Sequence, residues 1–252
     1  MRLIFLGCSS SFAVGPKTYH SNMVLKNGNE YFLIDCGGDT RHALHDVGLS
    51  YQDITHVYIS HLHGDHTHGL EWLGLSWHFE IEDTLPKLFI REDLVDTLWE
   101  NLLKGSMSTI KGQVSSLSTY FDLNVLKEDE KFRWQGANFE LVPVIHYYDN
   151  SNLAPCYGLV ITTKKQKTFI TTDTQFTPEL LRPHYEEADM IFHDCETSKK
   201  HSGVHAHYNE LVSLPAEIKS KMWLYHYNNS DLPDATGDGF AGFVIRGQEF
   251  EV

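Results

Sequence analysis

The sequence predicts an α/β protein in which two mixed β-sheets are sandwiched between outer helices. Apolar, strand-like runs cluster in both halves of the chain, and amphipathic helical stretches lie between them. Histidine and aspartate residues follow several of these runs, so their side chains are expected to converge on one edge of the sheets. With 252 residues and 41% hydrophobic residues, the chain can bury a sizeable core, and we expect a single domain over residues 1–252.

Strands dominate the predicted first half of the chain. The Asn27–Gly28 pair separates two apolar runs and predicts a hairpin. A short helix is expected to be capped by Asp39 or Thr40 and to end at Gly48. The predicted strands are RLIFLG, NMVLKN, EYFLIDCG, THVYIS and KLFI, and the predicted helices are DTRHALHDVG, GLEWLGLSWHF and REDLVDTLWENLLKG.

The second half repeats the strand-rich pattern after a polar connection. This connection, residues 105–118, is a candidate lid or dimer element, and an ordinary exposed loop is the alternative interpretation. The predicted strands are FELVPVIHY, CYGLVITT, KTFITTD, ADMIFHD, KMWLYHY and GFVIRGQEFEV, and the predicted helices are TPELLRPHYEEA and HYNELVSLPAEIKS.

The composition favours a soluble protein in a reducing compartment. No apolar run approaches the about 20 residues that span a bilayer, and the apolar start MRLIFLG is too short for a signal peptide. We therefore expect a cytoplasmic protein without an export signal. The four cysteines are Cys8, Cys36, Cys156 and Cys195. They are far apart in the sequence and form no CxxC pair, which argues against a disulfide framework.

The net charge of −14 argues against a large nucleic-acid surface. Such a charge repels polyanions, and only a local basic patch could overcome it. The basic run at residues 162–168, TTKKQKT, is predicted to be a hairpin turn, and SKKH at residues 198–201 a solvated loop.

The stretch SHLHGDHTH, residues 60–68, predicts part of a metal site. It places four histidines and one aspartate in eight positions directly after a predicted strand. Three distant residues also follow predicted apolar strands, where burying a lone polar side chain would be costly. Each of the three could alone be a hydrogen-bonded strand-end residue. The predicted ligands are His61, His63 and His146 for one ion, Asp65, His66 and His226 for the second, and Asp173 as a bridge together with a hydroxide.

With these motifs, the sequence resembles the metallo-β-lactamase fold superfamily over essentially its whole length. The resemblance rests on HLHGDH, on the three distant ligands and on FLIDCGG. It implies an αββα sandwich that binds two divalent ions, usually zinc, although manganese or iron suits the same ligand types. By the same resemblance, Asp35 supports the ligand loop without binding metal directly.

The glycine before Asp65 and the run GVHAHY are similar to the ribonuclease Z and phosphodiesterase branch. The resemblance implies that His205 is catalytic, contacting the phosphate and helping to protonate the leaving oxygen, with Asp65 as the base. The alternative is that His205 caps the following helix. Glu196 is a possible supporting acid, whereas structural roles are expected for the other nearby histidines, His68, His201 and His207.

A short connection between His146 and Asp173 departs from the long ribonuclease Z enzymes. It spans only 27 residues, which leaves no room for the extended arm that grips tRNA in those enzymes. In this respect the chain looks like the phage and bacterial cyclic-nucleotide phosphodiesterases that defeat Pycsar immunity. That resemblance implies hydrolysis of cCMP, cUMP, cAMP and cGMP to 5′-monophosphates, and a homodimer whose partner helps to close each pocket.

Three other functions remain open from the residues. A tRNA 3′-end endonuclease would use the same metals and histidine but would need a basic surface. Lactonases and thioesterases share the metal cage, but lactonases of this fold carry a tyrosine where this chain has Phe176. The third is a metal-binding module without enzymatic activity. Three aromatic residues could stack on a base or belong to the core: Trp77, Tyr147 and Tyr148.

Overall fold

The computed structural model describes residues 1–81, 83–228 and 231–252. The strands of the first half are β1 (Arg2–Phe5), β2 (Met23–Asn27), β3 (Glu30–Ile34), β4 (Ile54–Ile59), β5 (Lys87–Arg91), β6 (Thr109–Ile110), β7 (Gln113–Val114) and β8 (Asp122–Leu126). Those that follow are β9 (Lys131–Trp134), β10 (Ala137–Pro143), β11 (Tyr148–Asp149), β12 (Asn152–Leu153), β13 (Tyr157–Thr162), β14 (Lys167–Ile170), β15 (Met190–Asp194), β16 (Met222–Tyr225), β17 (Gly242–Phe243) and β18 (Glu249–Glu251).

The helices alternate with these strands. They are α1 (Thr40–Asp46), α2 (Gly64–Thr67), α3 (Leu70–Glu80), α4 (Glu92–Thr97), α5 (Lys104–Met107), α6 (Pro178–Glu187), α7 (Tyr208–Leu211) and α8 (Ala216–Lys219). A π-helical stretch, Leu98–Leu103, joins α4 to α5, and 3-10 turns cover Tyr51–Asp53 and Leu117–Thr119. Among the helices of the described residues, none is both long and apolar enough to cross a membrane.

Two mixed sheets organise the described chain. The first has the order β18-β1-β2-β3-β4-β5-β8, with β3, β4, β5 and β8 parallel to one another. The second has the order β17-β16-β15-β14-β13-β10-β9, with β14 to β17 parallel. Because β13 is antiparallel to both β10 and β14, these two strands run the same way. The carboxyl ends of β10, β14, β15 and β16 therefore share one edge of the second sheet.

The apolar core lies in three layers. Between the sheets, Phe5 packs against Phe192 with ring centroids 5.0 Å apart. Leu73 of α3 is buried in the layer between the first sheet and its helices, and Leu181 of α6 in the corresponding layer on the second sheet. Each sheet therefore has one face on the central core and one on helices, which confirms the predicted αββα sandwich.

Several predicted elements are divided in the structure. The predicted helix 91–105 changes to π-helical geometry at Leu98. The stretch predicted as one helix over residues 207–220 forms two short helices separated by Pro215, whose ring cannot continue a helix. The C-terminal run forms β17 in the second sheet and β18 in the first, because the chain turns at Gly247 with a φ of +79°. β8 and β9 were not predicted, nor were the short strands β6, β7, β11 and β12.

Local predictions were confirmed at two hairpins and corrected at one cap. Gly28 has a φ of +63° between β2 and β3, and the turn after β13 is closed by Thr163 N–H donating to Gln166 O at 3.0 Å. Asp39 occupies the N-cap position of α1, but its carboxylate accepts from His20 N–H instead of capping the helix. Residues 105–118 end α5 and form the small β6–β7 hairpin.

Candidate metal centre

The histidine-rich loop begins directly after β4. Residue Asp35, at the end of β3, holds this loop in place: its Oδ1 accepts from Ser60 N–H at 2.8 Å. Its Oδ2 accepts from the Ser60 hydroxyl and from His66 Nδ1–H, both at 2.8 Å. This contact leaves His66 Nε2 directed into the cluster, as expected for a carboxylate that orients a metal-binding imidazole.

The three distant residues reach the same place from the second sheet. His226 directly follows β16, as predicted. His146 and Asp173 lie three residues beyond the ends of β10 and β14, so the prediction that they close their strands was wrong in detail. All three side chains are buried.

Four ligand atoms form the first cluster. The Nε2 atoms of His61 and His146 each lie 3.1 Å from His63 Nδ1. Asp173 Oδ2 lies 3.8 Å from each of those two Nε2 atoms. Candidate ligand atoms from all four residues are within 4.8 Å of one another, which brings together the ligands predicted for one ion.

The second cluster shares the aspartate. His66 Nε2 and His226 Nε2 each lie 3.3 Å from Asp173 Oδ2. Asp65 Oδ2 is 3.4 Å from His66 Nε2 and 3.3 Å from His226 Nε2. Asp173 therefore stands between the two clusters, in the position predicted for a bridging ligand.

The donor atoms of these clusters fit divalent cations. His66 Nε2 and Asp173 Oδ1 are buried and have no hydrogen-bond partner among the described residues. His146 donates from Nδ1 to the Val204 carbonyl at 2.7 Å, so its Nε2 presents a lone pair to the other ligands. Converging lone pairs and carboxylates buried together are costly without a cation to bind them.

Electrostatics distinguish the two clusters. Burial lowers the pKa of His61 well below its ordinary value and that of His146 to about 4, which favours neutral imidazoles. Burial acts to lower the pKa of His66 and His226 as well, but Asp173 and other nearby carboxylates raise both well above the ordinary value. The two clusters thus differ because the carboxylates of Asp65 and Asp194 also lie beside the imidazoles of the second.

Asp194, which ends β15, is a buried site residue that the sequence analysis missed. Its Oδ2 accepts from His205 Nδ1–H at 2.7 Å and from Thr174 N–H at 2.9 Å. Its Oδ1 lies 3.3 Å from His226 Nδ1. The available signal was its position at the end of an apolar strand, the same signal that identified His226.

His205 does not cap the following helix. The N-cap of α7 is His207, whose Nδ1 accepts from Asn209 N–H at 3.2 Å. The His205 ring lies 4.8 Å from that of His146, centroid to centroid, and its side chain is 18% exposed. Of the other histidines, His201 stacks on His207, and His68 follows α2 as an exposed C-cap residue.

Glu196 supports a loop and contacts none of the predicted ligands directly. Its carboxylate accepts from the Ser198 hydroxyl at 2.6 Å and from the Ser202 hydroxyl at 3.0 Å and backbone N–H at 2.9 Å. These bonds close the loop that precedes Val204 and His205. Its effect on the site is therefore indirect, through the loop that carries His205.

Asn22 is a second residue that sequence reasoning missed. Its amide donates to the Asp65 carbonyl at 3.1 Å, and its Oδ1 accepts from the Thr40 hydroxyl at 2.7 Å and from Gly37 N–H. A side chain at Gly37 would overlap the Asp65 carbonyl oxygen. Asn22 thus ties the ligand loop to the segment after β3.

Three of the nine non-glycine residues with positive φ among the described residues lie in segments that carry the site. Asp35, Thr172 and His226 have φ values of +61°, +53° and +65°. This left-handed region is uncommon for residues other than glycine and especially for a β-branched residue such as Thr172. Asp35 and His226 directly follow strands and contact the cluster through their side chains, whereas Thr172 directly precedes Asp173.

The three aromatic residues that could stack on a base lie in different parts of the structure. Trp77 is buried in the helix layer and donates from Nε1 to Tyr51 O at 3.0 Å, so it belongs to the core. Tyr147 is half-buried and stacks on His63, whereas Tyr148 is exposed on the β11–β12 hairpin. Phe176 packs beside the helix layer of the second sheet.

Sequence comparison relates the whole chain to one family. The family described as "Anti-Pycsar protein Apyc1" matches residues 1–250. A relative of that name from Paenibacillus sp. (strain J14) is 38% identical over 232 residues, covering 91% of this chain and 90% of the relative. Another, from Bacillus phage 010DV004, is 30% identical over 259 residues, covering 99% and 98%.

Structural comparison relates the chain to the metallo-β-lactamase fold. The metallo-β-lactamase fold protein YhfI from Bacillus subtilis matches with a TM-score of 0.75 and 17% identity, covering 99% of this chain and 98% of YhfI. Zn2+-bound PqqB from Methylobacterium extorquens matches at 0.73 with 13% identity over 100% of both chains. The short form of human tRNase Z matches at 0.70 with 16% identity, covering 100% and 99%.

Proposed function

The chain belongs to the anti-Pycsar Apyc1 family, and on that premise we propose that it hydrolyses 3′,5′-cyclic mononucleotides to nucleoside 5′-monophosphates. It is a metal-dependent hydrolase, and the proposed substrates are cCMP, cUMP, cAMP and cGMP, whose loss would counter cyclic-nucleotide immune signalling. The observation that carries the proposal is the pair of buried ligand clusters beside the His205–Asp194 pair.

The cofactor would be a pair of divalent ions, most simply zinc, with manganese as an alternative. The residues that would hold them are His61, His63 and His146 at one position, Asp65, His66 and His226 at the other, and Asp173 at both. When bound, such ions would supply positive charge that stabilises a phosphoryl group and activates water. A likeness to a zinc-bound protein of the same fold agrees with zinc.

Two side chains would move protons in the reaction. Asp65 lies at the edge of the second cluster and would accept the proton of the attacking water as oxygen adds to phosphorus. His205 is held at Nδ1 by Asp194, which leaves Nε2 free to give a proton to the 3′ oxygen as its bond to phosphorus breaks. The product would carry a 5′-phosphate and a free 3′ hydroxyl.

The form of the site supports a small substrate. The segment between His146 and Asp173 is occupied by the β11–β12 hairpin and by β13 and β14, so no extended arm interrupts it. The net charge of −14 also disfavours a polyanionic substrate. We further propose that residues 1–252 act as a single domain, and that the protein is a cytoplasmic homodimer in which the exposed β6–β7 hairpin meets the partner.

A product assay tests this function. Purified protein, with and without EDTA, would be incubated with the four cyclic nucleotides and with a tRNA precursor that carries a 3′ trailer. We expect chelator-sensitive release of 5′-monophosphates and an intact precursor. His205→Ala should lose most of this activity while keeping its metal, whereas the exposed control His201→Ala should behave like the parent. Trimming of the precursor with intact cyclic nucleotides would identify an RNA-processing enzyme instead.

A further inference from the structure

Tyr147 lies against the first ligand cluster without being a ligand. Its ring stacks on His63, with centroids 4.3 Å apart and planes at 29°. The centroid distances to His146 and His61 are 5.3 Å and 6.5 Å. One face of the cluster is therefore covered by an aromatic ring that is half-buried rather than part of the apolar core.

The position of Tyr147 is set by its backbone. Ala154 N–H donates to Tyr147 O at 3.0 Å, which ties the residue to the far side of the β11–β12 hairpin. The preceding carbonyl, of His146, accepts from Gln175 Nε2 at 2.7 Å. Because both neighbouring peptide groups are held, the ring can stay beside the cluster without a hydrogen bond from its own hydroxyl.

The Tyr147 hydroxyl is available to a ligand. Among the described residues, this hydroxyl has no hydrogen-bond partner. Its oxygen is not fully buried, so it reaches solvent. By contrast, the hydroxyl of Tyr185 donates to His193 and that of Tyr157 to Asp93. A tyrosine hydroxyl is protonated at neutral pH because its ordinary pKa is about 10, and it can therefore donate to an anion.

We propose that Tyr147 is a substrate-binding residue whose hydroxyl donates a hydrogen bond to a non-bridging phosphate oxygen of the phosphodiester. This inference rests on the proposed function, because the substrate phosphate must lie beside the ligands that Tyr147 covers. A hydrogen bond to a charged phosphate corresponds to about 10-fold to 100-fold in binding.

The test compares Tyr147→Phe with the matched control Tyr148→Phe, which alters the exposed neighbouring tyrosine. We expect Tyr147→Phe to keep its metal content and thermal midpoint but to lower kcat/KM about 10-fold to 100-fold. The loss should be equal for cUMP and for bis(4-nitrophenyl) phosphate, which share only the phosphodiester. Parent-like kcat/KM in Tyr147→Phe would overturn the proposal, and so would a loss confined to cUMP, which would place the contact on the sugar or base.

A binding measurement separates this inference from the proposed function. Inorganic phosphate would be titrated into the zinc-loaded proteins by calorimetry, and Tyr147→Phe should bind it about 10-fold more weakly than the parent and Tyr148→Phe. Equal affinities would overturn the role of Tyr147. If the parent cleaves bis(4-nitrophenyl) phosphate but no cyclic nucleotide, the proposed function fails, while Tyr147 is still judged by phosphate binding and by the generic diester.

Discussion

His205 and Asp194 form a 2.7 Å hydrogen bond between Nδ1 and Oδ2, and the second carboxylate oxygen of Asp194 lies 3.3 Å from His226. One buried carboxylate thus orients both the proposed acid and a proposed ligand. Because Asp194 acts through these two imidazoles, it is a positioning residue. Its removal should disturb two different functions of the site.

Asp194→Asn should therefore lower kcat by about 10-fold to 100-fold and weaken metal binding at the second cluster. The amide can present a donor to His205 Nδ1 and would then favour the wrong imidazole tautomer. Steady-state kinetics and a metal competition titration measure the two effects. Asp129→Asn, in an exposed turn, is the matched control. If Asp194→Asn had the kcat of the parent, the prediction would be wrong and the role of Asp194 would be purely structural.

Asp173→Ala should abolish turnover and release metal, because its carboxylate stands between both clusters. Metal analysis after gel filtration gives the number of ions per chain, and the expected value falls below that of the parent. The corresponding control is Asp129→Ala. Retention of the parental metal content would remove Asp173 from the ligand set.

Asn22→Ala should weaken metal binding although Asn22 contacts no ligand side chain. The substitution leaves the buried Asp65 carbonyl and Gly37 N–H without a partner, at a cost of about 1–3 kcal/mol in the free energy of unfolding. Urea denaturation and zinc competition measure both effects, with the exposed Asn138→Ala as control. A less stable protein with parental zinc affinity would contradict the link between Asn22 and the ligand loop.

Tyr185→Phe should destabilise the fold without changing the active site. The Tyr185 hydroxyl donates to His193 Nε2 at 2.6 Å, and His193 Nδ1–H donates to Asp194 O at 2.7 Å. Loss of the first bond leaves a buried acceptor unpaired, which costs about 1–3 kcal/mol. Urea denaturation should show this loss, whereas Tyr148→Phe should not. A free energy of unfolding equal to that of the parent would contradict the prediction.

The buried His193 also predicts a pH dependence of stability. Burial lowers the pKa of His193, so the unfolded chain takes up a proton near pH 6.5 that the folded chain does not. The free energy of unfolding should fall as the pH drops below this range, by up to about 1.4 kcal/mol per pH unit from this residue. Urea denaturation from pH 8 to 5.5 should give a shallower slope for His193→Gln than for the parent. Equal slopes would show that His193 does not contribute.

Local sequence patterns were sufficient for the sandwich and for the candidate ligands. Alternating and apolar runs predict strands because burial follows the geometry of each element, as in β4 and β13. A histidine or aspartate next to such a run stands out because an isolated buried polar group is costly. The same reasoning could not separate Asp194 from Glu196, since both lie in HDCET and their partners are distant in the sequence.

The amino-acid pattern alone specifies the candidate ligand atoms, their order along the chain and the strands that carry them. The three-dimensional fold sets which of these atoms meet, because the contacts join distant segments: Asp65 and His226 are 161 residues apart. It also decided that Asp194 orients His205, that Trp77 belongs to the core and that Tyr147 faces the cluster. These choices depend on how two sheets align at one edge, and no local pattern of residues encodes that alignment.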